Sequence, residues 1–488
     1  MLAWILLALL FCGAGLYILL TPKDVDPEFV LQQASVSATK LPGESAVARS
    51  LVNPHGHALL GETKPLSQFR FRDVWADAHS FRIQYVAKNG KVRHLDNLAA
   101  LVQRVQRAIA GYPAGARIGM RFGVSIEAVV AFFAVALSGR VPVLVDEDEE
   151  DDVDADSDKI VLRDAEFKFA MESSGITVKQ PDGSSVVVPM AEGGTQSDSI
   201  ELVTSDQPIV EHLYLEEQRE SVEPIVSESE PSPRKTTRLA LSEADLGAAI
   251  AAQLTALGSQ NRWTPHDTVF MAPGPLTVYS FVTMLTALSA KALVVFAEAD
   301  ALLTATRVMQ LTKPSVVVSQ DETMRTLVKH VDDFQVFKWL EYGWRRLRLA
   351  RGALSQPPMI PEFRHVRLLH TESGADPYRW LSNGEIATLR VLTGTQVIHT
   401  YTPTNDIPVC QTSVGDYRVP PTGVNWGPPL PGLELKKVGR DLVVRRASSR
   451  EFVRLPAEDA TLLRDGCLYV PEKRHDFSDY YYYTGELN

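Results

Sequence analysis

Cysteine is scarce in this chain of 488 residues, and positive charge is not in excess. The three cysteines, Cys12, Cys410 and Cys467, are too few for a disulfide framework and do not have the spacing of a metal-binding set. They fit a reducing compartment. The 60 acidic residues outnumber the 49 basic residues, and the net charge of −11 excludes the chain as a whole from the nucleic-acid-binding class.

The composition is otherwise that of a globular protein, with 45% hydrophobic and 22% charged residues. Residues 1–22 carry no charged side chain, and their length is about that needed to cross a bilayer. A cleaved signal peptide is the alternative, but no basic start or small-residue cleavage site is evident. We expect a transmembrane anchor over residues 1–22, a tether over 23–68, and a body over 69–488 in the cytosol, at the endoplasmic reticulum or another organelle membrane.

The body alternates helical patterns with short apolar strands. Residues 94–109 carry apolar side chains at helical spacing, and an apolar helix over 125–138 lies between strand-like runs at 117–124 and 141–145. Similar alternation continues from Ser242, a candidate helix cap, to Ile398. This rhythm predicts an α/β fold with parallel sheets covered by helices.

Two acidic stretches interrupt this alternation. Ten of the thirteen residues in 146–158 are acidic, and such a run is typical of a solvated loop rather than a metal site. A helix is expected over residues 162–174. Residues 191–238 are rich in Glu, Ser and Pro, and we interpret them as a mostly flexible insertion.

Several short motifs point to one family. Tyr401-Thr402-Pro403-Thr404-Asn405 resembles the Tyr-Gly-Pro-Thr-Glu motif of the adenylate-forming enzymes, which include acyl-CoA synthetases, luciferases and the adenylation domains of peptide synthetases. Further fragments resemble motifs of the same family in the same order. They are residues 137–144, 273–276 (without the family's His), Ser373-Gly374-Ala375, 423–438 and Tyr483-Thr484-Gly485-Glu486-Leu487.

The resemblance covers roughly residues 70–488 and implies the family's large amino-terminal domain, with AMP or ATP as possible ligands. By analogy with the family, the nucleotide-pocket candidates are Ser373, Gly374, Ala375, Tyr401, Thr404, Asn405, Thr484, Gly485 and Glu486. In the family, the residue matching Glu486 is an Asp that binds the ribose hydroxyls. The family also continues into a carboxy-terminal lid domain carrying a catalytic Lys, and we expect this chain to lack that lid.

The departures from the family motifs fall at positions that would contact magnesium or the phosphates of ATP. Asn405 replaces a carboxylate, and a neutral amide is a weaker Mg²⁺ ligand. The segment 227–238, where the family has a glycine-rich phosphate loop, contains no glycine and places Glu228 and Glu230 near a triphosphate. Arg234 and Lys235 are its candidate phosphate partners, or else solvated loop residues.

A second feature is a basic amphipathic segment around residue 344. Its membrane-surface candidates are Phe337, Leu340, Trp344, Arg345, Arg346, Leu347 and Arg348. The alternative is a helix that packs its apolar stripe on the core and leaves its arginines in water.

These patterns favour a membrane-anchored pseudoenzyme that acts as a binding or scaffold protein, with no catalytic residues and no metal site. The first alternative is an acyl-CoA synthetase-like enzyme that activates a fatty or other carboxylic acid as an acyl adenylate, with a lid supplied by a partner chain. The second is a regulator that binds an acyl lipid or a nucleotide without reaction. A protein partner is possible in each case, and nucleic acid is not expected.

Overall fold

The computed structural model describes most of residues 70–144 and 235–470, with shorter pieces elsewhere. The described residues are 45–50, 52, 70–87, 89–95, 97–144, 160–164, 175–179, 185–189, 210–216, 235–258, 261–297, 301–329, 336–373, 380–402, 407–417, 424–439, 441–446, 452–455, 461–462 and 467–470.

Helices and strands alternate along these residues, as predicted. The α-helices are α1 (Phe71–Ala76), α2 (Leu98–Ala108), α3 (Ile126–Leu137), α4 (Glu243–Ala256), α5 (Val278–Ser289), α6 (Ala301–Thr312), α7 (Asp321–Lys329), α8 (Val336–Ala350) and α9 (Asn383–Thr393). The strands are β1 (Arg82–Val86), β2 (Val92–Leu95), β3 (Arg117–Arg121), β4 (Val141–Leu144), β5 (Ile160–Asp164), β6 (Gly175–Lys179), β7 (Ser185–Pro189), β8 (Val210–Glu216), β9 (Lys235–Leu241), β10 (Thr268–Met271), β11 (Leu293–Ala297), β12 (Val316–Gln320), β13 (Leu368–Ser373), β14 (Gln396–Tyr401), β15 (Cys410–Gln411), β16 (Val424–Gly427), β17 (Glu434–Val438), β18 (Asp441–Arg445), β19 (Phe452–Leu455), β20 (Thr461–Leu462) and β21 (Leu468–Val470).

Two large sheets organise the body. The eight-stranded sheet has the order β15-β14-β13-β12-β10-β11-β1-β2, in which every pair is parallel except the two at its edges. The seven-stranded sheet has the order β7-β6-β5-β3-β4-β8-β9, and β5, β3, β4 and β8 run parallel. Because parallel strands end at one edge of a sheet, loops that follow neighbouring strands meet there.

Local sequence signals explain where the helices begin and end. Ser125 caps α3 by accepting a hydrogen bond from the backbone N–H of Ala128, and Gly139 follows the helix with a φ of 69°. The predicted cap at Ser242 is part of a capping box. Gly394 ends α9 in the left-handed conformation with a φ of 63°.

The core consists of helices packed between and outside the sheets. The helices α3 and α5 are apolar on almost every side, and the Phe132 and Phe281 rings meet with their centroids 4.1 Å apart. Both helices belong to the cluster that includes the inner faces of β3, β10 and β11. The opposite face of the eight-stranded sheet packs against α6, α7 and α9. This layered arrangement buries both faces of the parallel strands, as their apolar composition requires.

Two small sheets, β16-β21-β20 and β17-β18-β19, pack beside β14 and β15. Residues 45–50, within the predicted tether, lie against β17, where the backbone of Ala48 exchanges hydrogen bonds of 2.7 and 3.0 Å with Leu435. Ala48 is buried in the cluster formed by these sheets.

The structure confirms the α/β class and corrects one local prediction. Residues 160–164 form strand β5, so the helix predicted over 162–174 is wrong at its start. The insertion predicted over 191–238 contains β8 and the first residues of β9, which pair antiparallel. Pairing across the sheet fixes these strands, because β8 lies within an acidic stretch and has little sequence signal of its own.

Within the described residues, no helix combines the length and the apolar character that crossing a bilayer requires. Residues 1–22 lie outside the described residues, and the membrane anchor stays a prediction.

Candidate functional site

The candidate site lies at the carboxyl ends of β13 and β14, which run parallel with Ser373 opposite Tyr401. The hydroxyl of Ser373 donates a hydrogen bond of 3.0 Å to the carbonyl oxygen of Thr400, and the N–H of Thr402 donates one of 3.4 Å to that hydroxyl. Two predicted pocket residues, Ser373 and Tyr401, are therefore neighbours. The other predicted residues of the site lie outside the described residues: Gly374, Ala375, Thr404, Asn405, Thr484, Gly485, Glu486 and Arg234, together with the side chain of Lys235.

An aromatic cluster encloses Tyr401. The ring centroid of Trp426 lies 5.3 Å from that of Tyr401 at an interplanar angle of 45°, and Trp380 meets both rings edge-on at 5.8 and 5.1 Å. Tyr401 is only 2% exposed and Trp426 is fully buried, so neither presents a free ring face to solvent. Burial also raises the pKa of the Tyr401 hydroxyl. The cluster stabilises this end of the sheet through the large apolar area of its rings.

The backbone around Gly427 holds Trp426 in this cluster. Gly427 has a φ of 73°, and a Cβ at this position would lie 2.1 Å from the carbonyl oxygen of Gln411. Its N–H donates a hydrogen bond of 3.1 Å to the side-chain oxygen of Asn425. A glycine is therefore required by conformation and by close packing, which gives a physical reason for this part of the 423–438 motif.

A buried polar pair lies behind the aromatic cluster. Nε2 of His399 is 2.8 Å from Oδ2 of Asp321, and the N–H of Leu381 donates a hydrogen bond of 2.9 Å to the same oxygen. The side chains of His399 and Asp321 are 0% and 3% exposed. The imidazole also packs against Trp426, with ring centroids 4.1 Å apart. Asp321 thus ties the start of α7 to β14 and to the chain entering α9.

A second buried acid lies on the opposite face of the sheet. The hydroxyl of Thr277, the cap of α5, donates a hydrogen bond of 2.7 Å to Oε2 of Glu372. Burial raises the pKa of Glu372 to about 8, with a further contribution from Asp321. Glu372 is therefore largely a neutral acid at pH 7. Nearby, the fully buried Tyr279 faces Thr400 and Thr283, but its hydroxyl has no partner at hydrogen-bonding geometry.

Unpaired polar atoms are concentrated at this end of the sheet. Among the described residues, buried side-chain atoms without a hydrogen-bond partner include Oδ1 of Asp321, Nδ1 of His399 and the hydroxyls of Thr400, Thr402 and Tyr279. Most buried polar groups in proteins are paired, so this concentration is unusual. No group of His, Cys, Asp and Glu side chains that could hold a metal ion occurs within the described part of the chain.

The predicted phosphate segment, residues 227–238, ends inside strand β9. The antiparallel pairing of β8 with β9 brings Glu216 opposite Lys235, so residues 217–234 form the connection between them. This connection contains no glycine; its five glutamates and two arginines give −5 + 2 = −3. The connection therefore lacks the residue type that lets backbone N–H groups approach a phosphate most closely.

The membrane-surface candidates lie on α8, which packs on α9 through Leu349, Ala387 and Val391. Phe337, Leu340, Trp344 and Arg348 are exposed. The prediction is wrong for Arg345, which is buried, pairs with Glu341 and donates to the carbonyls of Ser355 and Pro357. The helical period turns position 345 towards the core.

The two remaining candidates on α8 are half-buried. Arg346 donates a hydrogen bond of 3.3 Å to the carbonyl of Gly384, so its guanidinium is used within the fold. Leu347 lies at the border between the packed and the exposed faces of the helix.

Several residues of the site are not among those predicted from the sequence motifs. They are Asp321, His399, Glu372, Thr277, Trp380 and Trp426. Glu372 directly precedes the Ser373-Gly374-Ala375 motif, and Trp426 lies inside the 423–438 motif, so proximity to a motif could have indicated both. Asp321 is 78 positions from His399, and no local pattern connects them.

Neither a protein-family model nor a curated protein sequence matches the chain. Solved structures match it in fold. MatB from Rhodopseudomonas palustris with bound ATP is 14% identical with a TM-score of 0.53, over 82% of this chain and 77% of that chain. The unliganded O-succinylbenzoate coenzyme A synthetase MenE from Bacillus subtilis is 13% identical with a TM-score of 0.55, over 83% and 79%. The E. coli MenE structure with bound OSB-AMS is 14% identical with a TM-score of 0.52, over 86% and 79%. At these identities the likeness is one of fold, and the fold of this chain is that of the adenylate-forming enzymes.

Proposed function

We propose that this protein is a pseudoenzyme of the adenylate-forming fold, which acts as a binding or scaffold protein at a membrane and does not form acyl adenylates. The observation that carries this proposal is the enclosure of Tyr401. The resemblance places this residue in the nucleotide pocket, but Tyr401 is only 2% exposed and its ring packs against both Trp426 and Trp380. A ring in this position cannot stack on a base unless one of its neighbours moves.

The sequence departures support the same proposal. Transfer at phosphorus depends on positioned positive charge and metal ions that stabilise the transition state. Asn405 replaces the carboxylate expected to face magnesium, and the connection between β8 and β9 has a net charge of −3, from five glutamates and two arginines. Both changes affect the phosphate side of a bound nucleotide: the first removes a metal ligand, and in the second the segment 227–238 lacks the glycines that let backbone N–H groups approach closely.

The alternative is an acyl-CoA synthetase-like enzyme that activates a carboxylic acid. The unpaired polar atoms at the ends of β13 and β14 favour it, because they leave hydrogen-bonding capacity for a ligand. One measurement distinguishes the two functions. Magnesium-dependent release of AMP in the presence of a fatty or aromatic acid, abolished by Thr404→Val, would establish the enzyme and refute the pseudoenzyme.

We expect AMP to bind more tightly than Mg-ATP, by about tenfold, which corresponds to ~1.4 kcal/mol. The triphosphate would meet Glu228 and Glu230 without glycine amides or a well-held magnesium ion, whereas AMP avoids most of this repulsion. Isothermal calorimetry on the same preparation measures both affinities.

A matched variant relates this binding to the aromatic cluster. Trp380→Ala removes the half-buried ring at the edge of the cluster and opens a slot beside Tyr401, so it should tighten AMP binding. Mg-ATP affinity equal to or higher than that of AMP would show that phosphate contacts survive. If neither nucleotide binds the protein or the Trp380→Ala variant, the chain has the fold without a nucleotide site.

The proposed membrane location depends on residues 1–22, which are uncharged and of spanning length. We expect the full-length chain to stay in the membrane fraction after alkaline carbonate treatment, and its mature amino terminus to precede residue 22. Release of the intact chain by carbonate, or an amino terminus that maps after residue 22, would contradict the anchor.

A further inference from the structure

The exposed apolar residues of α8 form a stripe along one side of the helix. Phe337, Leu340 and Trp344 are 86%, 59% and 61% exposed and follow the spacing i, i+3, i+7. At 100° per residue they lie within about 60° of one another around the helix axis. Large apolar side chains with this exposure and this alignment are unusual on a protein surface that faces water. They indicate a face that another molecule or a membrane covers in the functioning protein.

Positive charge continues the same stripe. Arg348 and Arg351 are exposed; the helical period places Arg348 within about 80° of the stripe's other members, and Arg351 directly follows the end of α8. Across residues 336–351, five basic residues and one acidic residue give +5 − 1 = +4, against −11 for the whole chain. The local charge therefore complements an anionic surface and contrasts with the remainder of the protein.

The side of α8 that carries Tyr342, Arg345 and Leu349 packs on the rest of the protein. Leu349 and Tyr342 contact α9, where the hydroxyls of Tyr342 and Thr388 are 2.9 Å apart. Arg345 binds the carbonyls of Ser355 and Pro357. The packed side fixes the rotation of the helix, so the stripe faces outward in the folded protein and is not available to fill a gap in the core.

We propose that this stripe, defined by Phe337, Leu340, Trp344, Arg348 and Arg351, docks α8 on the surface of a bilayer that contains anionic lipid. Tryptophan and phenylalanine are favoured at the membrane interface, and arginines at the same depth attract anionic headgroups. The helix lies flat, with its apolar side chains at the boundary of the acyl chains and its packed side towards the protein. The proposal deepens the proposed membrane location, because it fixes which side of the body faces the bilayer.

Quenching by brominated lipid tests this contact with the full-length chain in vesicles. Vesicles are prepared from phosphatidylcholine brominated on its acyl chains, with or without phosphatidylserine, and the contribution of Trp344 is the difference between the protein and Trp344→Phe. We expect Trp344 to be quenched, and more strongly when phosphatidylserine is present. The buried Trp75, Trp263 and Trp426 should not respond.

Three sets of variants separate apolar from charged contributions. The double variant Phe337→Ser/Leu340→Ser should reduce the quenching of Trp344 several-fold in both kinds of vesicle. Arg348→Glu/Arg351→Glu should remove the increase caused by phosphatidylserine. Leu311→Ser, which changes a residue that is 47% exposed on α6, should leave the quenching unchanged. All substituted residues are exposed, and thermal unfolding checks that each variant remains folded.

Two outcomes would overturn the proposal. One is a Trp344 that brominated lipid does not quench in the presence of phosphatidylserine. The other is a dimer of the unsubstituted protein in sedimentation velocity that Leu340→Ser converts to a monomer, since a second copy would then cover the stripe. Failure of the predicted anchor is a separate result: carbonate would release the chain, and vesicles added to the released protein would still measure docking through α8.

Discussion

At pH 8, Glu372→Gln should be more stable to unfolding than the unsubstituted protein, by on the order of 4 kcal/mol, and at pH 4.5 the two should be similar. Burial raises the pKa of Glu372 from 4.5 to about 8, so the folded protein holds a proton there that the unfolded chain releases. Between these values the unfolded state binds fewer protons, and stability falls as pH rises. Glutamine keeps the acceptor for Thr277 but cannot ionise.

The measurement is urea unfolding of both proteins across that pH range, and the quantity of interest is the difference between their free energies of unfolding. Thr277→Ser is the matched control, because serine keeps the hydroxyl that donates to Glu372 and the cap of α5. This control should retain the pH dependence of the unsubstituted protein. A difference between the protein and Glu372→Gln that does not change with pH would show that Glu372 is ionised in the folded state.

Asp321→Ala should lower the free energy of unfolding by on the order of 4 kcal/mol. One carboxylate oxygen contacts both Nε2 of His399 and the N–H of Leu381, and these groups are buried. Alanine would leave both without a partner, at a cost of about 1–3 kcal/mol each. The near-ultraviolet circular dichroism should also change, since His399 packs on Trp426.

Asp321→Asn is the matched control for this change. Its side-chain oxygen can take the place of Oδ2 and keep both contacts, so the loss of stability should lie between zero and that of alanine. If Asp321→Ala lowers the free energy of unfolding by less than about 1 kcal/mol, close to the effect of an ordinary surface substitution, the pair does not hold α7 to β14.

Much of the fold could be predicted because its signals are local. The apolar periodicity that predicts α3 and α5 depends on residues within one helix, and the Ser242 cap depends on contacts three positions apart. Parallel strands are predicted from the alternation of helical patterns with short apolar strands, which is also a local signal. The structure agrees with these predictions because local and long-range preferences coincide.

The site was less predictable because its contacts are distant in sequence. Thr277 and Glu372 are 95 positions apart, and the pair of Asp321 with His399 joins the start of α7 to β14 across 78 positions. The predicted surface role of Arg345 failed for a related reason: the composition of a helix does not fix its rotation, which packing against α9 decides. Strand β8 lies in an acidic stretch and depends on partners at both edges.

The most direct test of the pseudoenzyme is exchange of labelled pyrophosphate into ATP in the presence of magnesium and a panel of fatty and aromatic acids. Formation of an acyl adenylate is reversible, so any acid that the protein activates would produce exchange above the rate without acid. We predict no acid-dependent exchange, because Tyr401 is enclosed, Asn405 replaces the magnesium carboxylate and the segment between β8 and β9 lacks glycine. Exchange that requires both magnesium and a particular acid, and that Thr404→Val abolishes, would contradict the account.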